Sequence, residues 1–239
     1  MSTALLAVLV LGPTAIVVVA LFLVLWWARR STRDAWVATI SGAVLAVWAL
    51  VTTVLATRGV FVQPDSMTTP PVAIDLVVVL LVLAVCLVAS KSLRRLLTNQ
   101  KHLIRLNVWR LEGLVFLLLM ALGQMPALWA LPAGIGDVIV GSTAFWVASQ
   151  LDAPGGRRRA IMFNLFGVAD LLVAIGLGVT TNPGPAQLFH TTPTSELVTR
   201  FPLVLVPTFL VPLAFMLHMV SLWQLLGRSW SADRIATSA

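Results

Sequence analysis

Three carboxylates and a histidine lie where an ionisable group is expensive. Glu112, Asp137 and Asp170 each interrupt long apolar sequence, and His218 interrupts another such run. Asp137 is the centre of LPAGIGDVIVG, Leu131 to Gly141, an aspartate set among Gly and Ala. A charged side chain in hydrocarbon costs about 2.5–3.5 kcal/mol on insertion scales, so such a group is paired, turned toward protein or water, or functional. With the apolar runs read as helices rising about 1.5 Å per residue, Asp137 falls in the outer third of the membrane. Asp170 then lies near the middle, and Glu112 and His218 in the inner third. Asp, Glu and His at graded depths are the parts of a proton relay, and Asn164 adds a polar group on the helix that carries Asp170. The candidate polar site is therefore Asp137, Asp170, Glu112, His218 and Asn164. The competing reading is structural, with the same groups joining helices by hydrogen bonds.

The neighbours of the aspartates favour protein-facing positions. Ala133 and Gly141 stand four residues either side of Asp137 and share its helix face, as Ala174 and Gly178 share that of Asp170 with Gly167. Small residues let helices approach closely in a membrane. The stretch Gly134–Gly141 also aligns with Gly167–Ala174, the two aspartates in register, as a short inverted repeat would. Glu112 stands two residues from Arg110, a spacing that does not share an α-helix face.

Other chemistries find no residues to carry them. Cys86 is the single cysteine, which excludes an intrachain disulfide and a multi-cysteine metal site. Met216 and Met219 flank His218 but do not share its face, so no copper site is expected. His102 and His190 fall in loops on opposite sides, which argues against a bis-histidine haem. No metal and no cofactor is expected. Lys91 and Lys101 are the only lysines, and neither lies in the last helix, which a retinal Schiff base of the seven-helix kind would need. No P-loop, HExxH, GxSxG or CxxC occurs.

The elements that must hold these residues are membrane helices. The chain of 239 residues is 59% apolar and 10% charged, with mean hydropathy +0.97, whereas a soluble domain carries about 25% charged residues. Apolar runs at about 4–28, 35–57, 72–90, 106–126, 131–151, 160–180 and 202–226 predict seven crossings, each near the ~20 residues that span a bilayer. The expected fold is an all-α, seven-transmembrane-helix bundle forming one polytopic domain over residues 1–239. A kink is expected at Gly12-Pro13. The fourth and fifth segments, joined by the uncharged Gln124–Pro132, should be antiparallel neighbours. Asp75 reads as a headgroup-level carboxylate. Pro202, Pro207 and Pro212 break the seventh segment, which suits a position inside the bundle or beside a cavity.

Charge sets the orientation. Arg29, Arg30, Arg33, Lys91, Arg94, Arg95, Lys101, Arg105, Arg110, Arg157, Arg158, Arg159, Arg228 and Arg234 fall on one side, and only Arg58 and Arg200 on the other. Lys and Arg favour cytoplasmic loops, so the N-terminus is expected outside and the C-terminus inside. Trp26, Trp27, Trp36, Trp109, Trp223 and Trp230 would form an aromatic belt at the cytoplasmic face. The net charge of +7 then points to anionic lipid headgroups on that side rather than to nucleic acid. Abundant Ala and Val, Arg in excess of Lys, and no Tyr suggest a GC-rich bacterial genome and hence an inner-membrane protein.

Three functions fit these features. One is a proton-coupled small-molecule carrier or channel-like protein, with its site at Asp137 and Asp170. Another is a structural or accessory subunit with a protein partner in the membrane. The third is an intramembrane enzyme acting on a lipid or quinone through Asp137, Asp170, Glu112 and His218. Nothing in the sequence names the ligand.

Overall fold

The computed structural model describes residues 2–63 and 69–227. Within them the chain is helical and contains no strand. The elements in order are α1 (Thr3–Trp27), α2 (Thr32–Thr57), α3 (Pro71–Ala89), α4 (Lys91–Leu96), α5 (Gln100–Arg105), a 3-10 stretch (Leu106–Glu112), α6 (Gly113–Ala121), α7 (Ala127–Ser149), α8 (Gly156–Thr181), a 3-10 turn (Ser195–Thr199), a π turn (Val206–Leu210) and α9 (Val211–Leu226). Six helices among the described residues are long and apolar enough to cross a membrane: α1, α2, α3, α7, α8, and the π turn continued by α9. Their outer faces carry large apolar side chains such as Val8, Val51, Val88, Ile139 and Leu172. An apolar exterior of this extent matches a lipid surface and no aqueous one.

The expected fourth crossing takes a different form. Instead of one α-helix over 106–126, the backbone runs through α5, the 3-10 stretch and α6, and ends at Ala121. Gly123, at φ 68°, then makes the left-handed turn that a residue without Cβ adopts at no steric cost. The fifth segment begins at Ala127 rather than Leu131, with Pro132 held inside the helix. That start places Asp137 ten residues into α7, about 15 Å along it. Asp170 stands eleven residues from the far end of α8, about 16 Å. The two aspartates are therefore level, and the expected graded depths are replaced by a meeting point. α1 carries Pro13 without a break in its helix.

The last crossing starts after Pro202, at Val206. Pro207 and Pro212 have no N–H to give, and the backbone answers by widening, Val211 N–H bonding Val206 C=O five residues back. This broken segment and α9 are the most enclosed part of the molecule: Leu205, Phe209, Leu213, Leu217 and Leu225 have no exposed surface. α3 is the opposite case, burying only Leu76.

The basic segments gather at one end. Arg95 pairs with Asp34 at 2.9 Å, Lys101 pairs with Asp152, and Arg157 Nε donates to Leu225 C=O at 2.9 Å. Two residues assigned to this face belong elsewhere. Arg110 is fully buried and Trp109 is 7% exposed, because the chain enters the bundle at Gln100, well before Leu106. Trp27, Trp36 and Trp223 are exposed there. Trp230, Arg228 and Arg234 lie outside the described residues.

Candidate polar site in the bundle core

The site starts from the winding of the Leu106–Glu112 stretch. A 3-10 helix has three residues per turn, so positions three apart eclipse. Asn107, Arg110 and Gly113 thus form one row. Asn107 closes the row's lower end by donating to Leu103 C=O at 3.0 Å. Gly113 closes the upper end against α7: a Cβ there would lie 2.5 Å from Asp137 Cβ and 2.7 Å from Gly134 O. Between them Arg110 enters the space where α7, α8 and α9 converge.

Arg110 uses its planar fork on all three helices. Nε donates to Asp137 Oδ1 of α7 at 2.5 Å, and Nη2 donates to Asp170 Oδ2 of α8. Nη1 faces His218 Nε2 of α9 at 3.1 Å and Gly167 C=O at 3.4 Å. One guanidinium with five donors can bridge two carboxylates in this way, and a lysine's point charge cannot. The room for it comes from glycines. A Cβ on Gly136 would sit 1.7 Å from Asp170 Oδ1, and one on Gly167 would sit 2.3 Å from His218 Nε2. Gly141 holds α7 against the 3-10 stretch, its missing Cβ facing Leu111 N at 2.6 Å. Gly178 packs against Trp129, whose indole N–H bonds Ala174 C=O at 2.9 Å.

From His218 a hydrogen-bonded chain continues toward the basic end. Asn164 Nδ2 donates to Ala160 C=O at 2.7 Å and to Ser221 Oγ at 2.8 Å. Asn164 Oδ1 is therefore the acceptor facing His218 Nδ1 at 2.9 Å. That fixes the imidazole: Nδ1 carries the proton, and Nε2 accepts from Arg110 as a neutral ring. Ser221 Oγ donates to Gln100 Oε1 at 2.7 Å, Gln100 Nε2 donates to Gln224 Oε1 at 2.8 Å, and Gln224 Nε2 ends on Leu97 C=O at 2.7 Å. Every donor in the row points the same way. Three of its members are amides, which hold such a row in register but do not pass a proton on. Both nitrogens of His218 are engaged, which leaves none for a metal ion.

Of the residues proposed from sequence, the structure brings together Asp137, Asp170, His218 and Asn164. Glu112 is kept apart. Two residues beyond Arg110 on a 3-10 turn, it has no bond to the cluster and lines a recess beside Pro13 and Val17 of α1 and Phe145 of α7, 7% exposed, with neither oxygen bonded. The residues missed were Arg110, Gln100, Ser221 and Gln224. Arg110 had a signal, a cation several residues inside an apolar run, which is the intramembrane-charge rule applied to a base instead of an acid.

A cavity reaches this cluster from the end opposite the basic loops. Its volume is about 100 Å³, partly open to the surface, between the start of α3, the first half of α7, the second half of α8, the Ser195–Thr199 turn and the proline-broken segment. Phe116, Trp129, Ala133, Ile175, Val179 and Val206 make its walls apolar, and Asp137 is the one ionisable residue lining it among the described residues. The Asp137 side chain keeps 13% exposure. Its Oδ1 is held by Arg110, so Oδ2 is the oxygen left to meet an occupant.

No curated protein and no solved structure matches the chain. The family model described as Domain of unknown function (DUF8737) matches residues 67–226, a stretch that holds the whole polar row from Gln100 to Gln224 and leaves out α1 and α2, and the chain belongs to that family.

Proposed function

We propose that this is a carrier in a bacterial inner membrane, moving a small molecule in exchange with protons at the Asp137–Arg110–Asp170 cluster. The observation that supports it most directly is the cavity, which ends on a carboxylate already shared with a buried cation. A carrier site needs a polar anchor at the bottom of an access path, enclosed by irregular, movable segments. Here the path is the cavity, the anchor is Asp137, and the irregular segments are the 3-10 stretch and the π turn. Charge counting adds the proton. Two carboxylates face one guanidinium and a neutral imidazole, leaving one negative charge for a proton or a cationic occupant to balance. The amide-rich row beyond His218 favours proton exchange through the cavity rather than along the row.

The carrier is N-out and C-in with seven crossings, the seventh being Gln100–Ala121. Its 22 residues, at about 1.5 Å each in α and about 2.0 Å in 3-10 winding, reach about 36 Å against roughly 30 Å of hydrocarbon. The basic end then faces the cytoplasm and anionic headgroups. The accessory-subunit reading has one observation in its favour: α2 and α3 bury little of themselves, which leaves faces for lipid or a partner.

Proton flux into proteoliposomes tests the carrier. Asp170→Asn keeps shape and hydrogen bonding but cannot titrate, and it should preserve folding while abolishing substrate-driven proton movement; Asp137→Asn should do the same. Full activity in both variants would leave the cluster a purely structural joint.

A further inference from the structure

We infer that the cavity takes a lipophilic monocation, an apolar chain or ring system bearing one ammonium group, which binds Asp137 Oδ2 in place of a proton. This rests on the carrier reading and names its substrate class. Three observations converge on it. The cavity wall is apolar almost throughout, so most of the occupant must be apolar as well. Among the described residues, Asp137 is the single ionisable residue in that wall, and its Oδ2 has no bond. The cluster carries one negative charge more than Arg110 balances, so an anionic group would add to an existing excess.

Among the described residues, the other charged groups near the cavity bring no unpaired positive charge to the cluster. Asp170 is on Arg110, and His218 is neutral by its hydrogen-bond pattern. Glu112 lines a separate recess between α1 and α7 and would add negative charge if ionised. Glu196, in the turn that forms part of the cavity mouth, is paired with Arg200 at 2.5 Å. Asp75 of α3 does not line the cavity. α6 carries no titratable residue. Proton and cation therefore compete for one charge, and binding of the cation should release up to one proton.

Equilibrium dialysis of the full chain in lipid nanodiscs, with empty nanodiscs as background, separates the possibilities using three probes of one chain length: decylammonium, decanol and decanoate. Decylammonium should bind saturably and tighten as pH rises. The other two should not exceed background. Asp137→Asn should weaken decylammonium by about tenfold or more, the scale for losing one partner of a buried charge pair. Ala174→Phe, which fills the cavity and leaves the cluster's side chains in place, should abolish binding with the fold retained. Equal binding of decanol, preference for decanoate, or unchanged decylammonium affinity in Ala174→Phe would overturn the assignment. Cation binding without flux would sink the carrier and leave this site standing. Flux of decanoate with no cation binding would do the reverse.

Discussion

Replacing Arg110 by methionine tests whether the core is held by a guanidinium shared between two acids. The substitution roughly keeps the apolar stem and removes every bond the fork makes to Asp137, Asp170, His218 and Gly167. Arg110 has no exposed surface, and the Asp137 and Asp170 side chains are 13% and 6% exposed. Water reaches Asp137 only through the cavity and Asp170 hardly at all, so it replaces few of the lost donors. Removing one partner of a buried ion pair costs about 3–5 kcal/mol, chiefly because the other charge is left uncompensated. For a chain of this length that corresponds to a fall of about 6–20 °C in Tm, at about 2–4 °C per kcal/mol. The same reasoning predicts rescue. Arg110→Met combined with Asp137→Asn and Asp170→Asn leaves no charge to compensate, and it should recover most of the loss. Thermal melting in detergent, followed by the fraction that stays monodisperse, reads both effects. An Arg110→Met protein that melts within about 2 °C of the original, the shift of less than 1 kcal/mol, would refute the reasoning. So would a triple variant no more stable than the single one. Arg110→Lys should fall between them, since a lysine cannot reach both carboxylates at once.

Two further outcomes follow from the same geometry. Gly136→Ala places a Cβ on Asp170 Oδ1 and should lower stability by about 1–3 kcal/mol, the usual cost of overpacking; Gly12→Ala, whose Cβ meets nothing within 4 Å, is the control and should be neutral or slightly stabilising in the same melt. For orientation, Leu188→Cys and Thr98→Cys in a Cys86→Ala background should differ when intact cells meet an impermeant thiol reagent. The cysteine at 188 should label and the one at 98 should not, and the reverse pattern would invert the membrane placement.

Composition and hydropathy alone determined the class of this protein, because a crossing helix is a local property of about 20 consecutive residues. Six of the segments read from sequence lie within a few residues of helices long enough to span. The polar residues were legible for a similar local reason: Asp137, Asp170, His218 and Asn164 stand out against apolar neighbours, and the glycines around them announce close packing. Pairing was not legible. Arg110 reads as the last of a basic run, because its charge looks the same in a loop as in a core. Only the entry of the chain at Gln100, four residues after the last turn of α4, carries it inward. The 3-10 winding then decides which of two near neighbours joins the cluster, setting Arg110 onto both aspartates and leaving Glu112 unbonded beside α1, a difference that an ideal α-helix would have drawn at another angle. The start of α7 at Ala127 sets the level of Asp137, and Pro132 gave the wrong cue because a proline is tolerated inside a membrane helix when neighbouring helices satisfy the freed carbonyl. Depth, partner and charge balance are properties of four helices meeting, and no single stretch of sequence contains them.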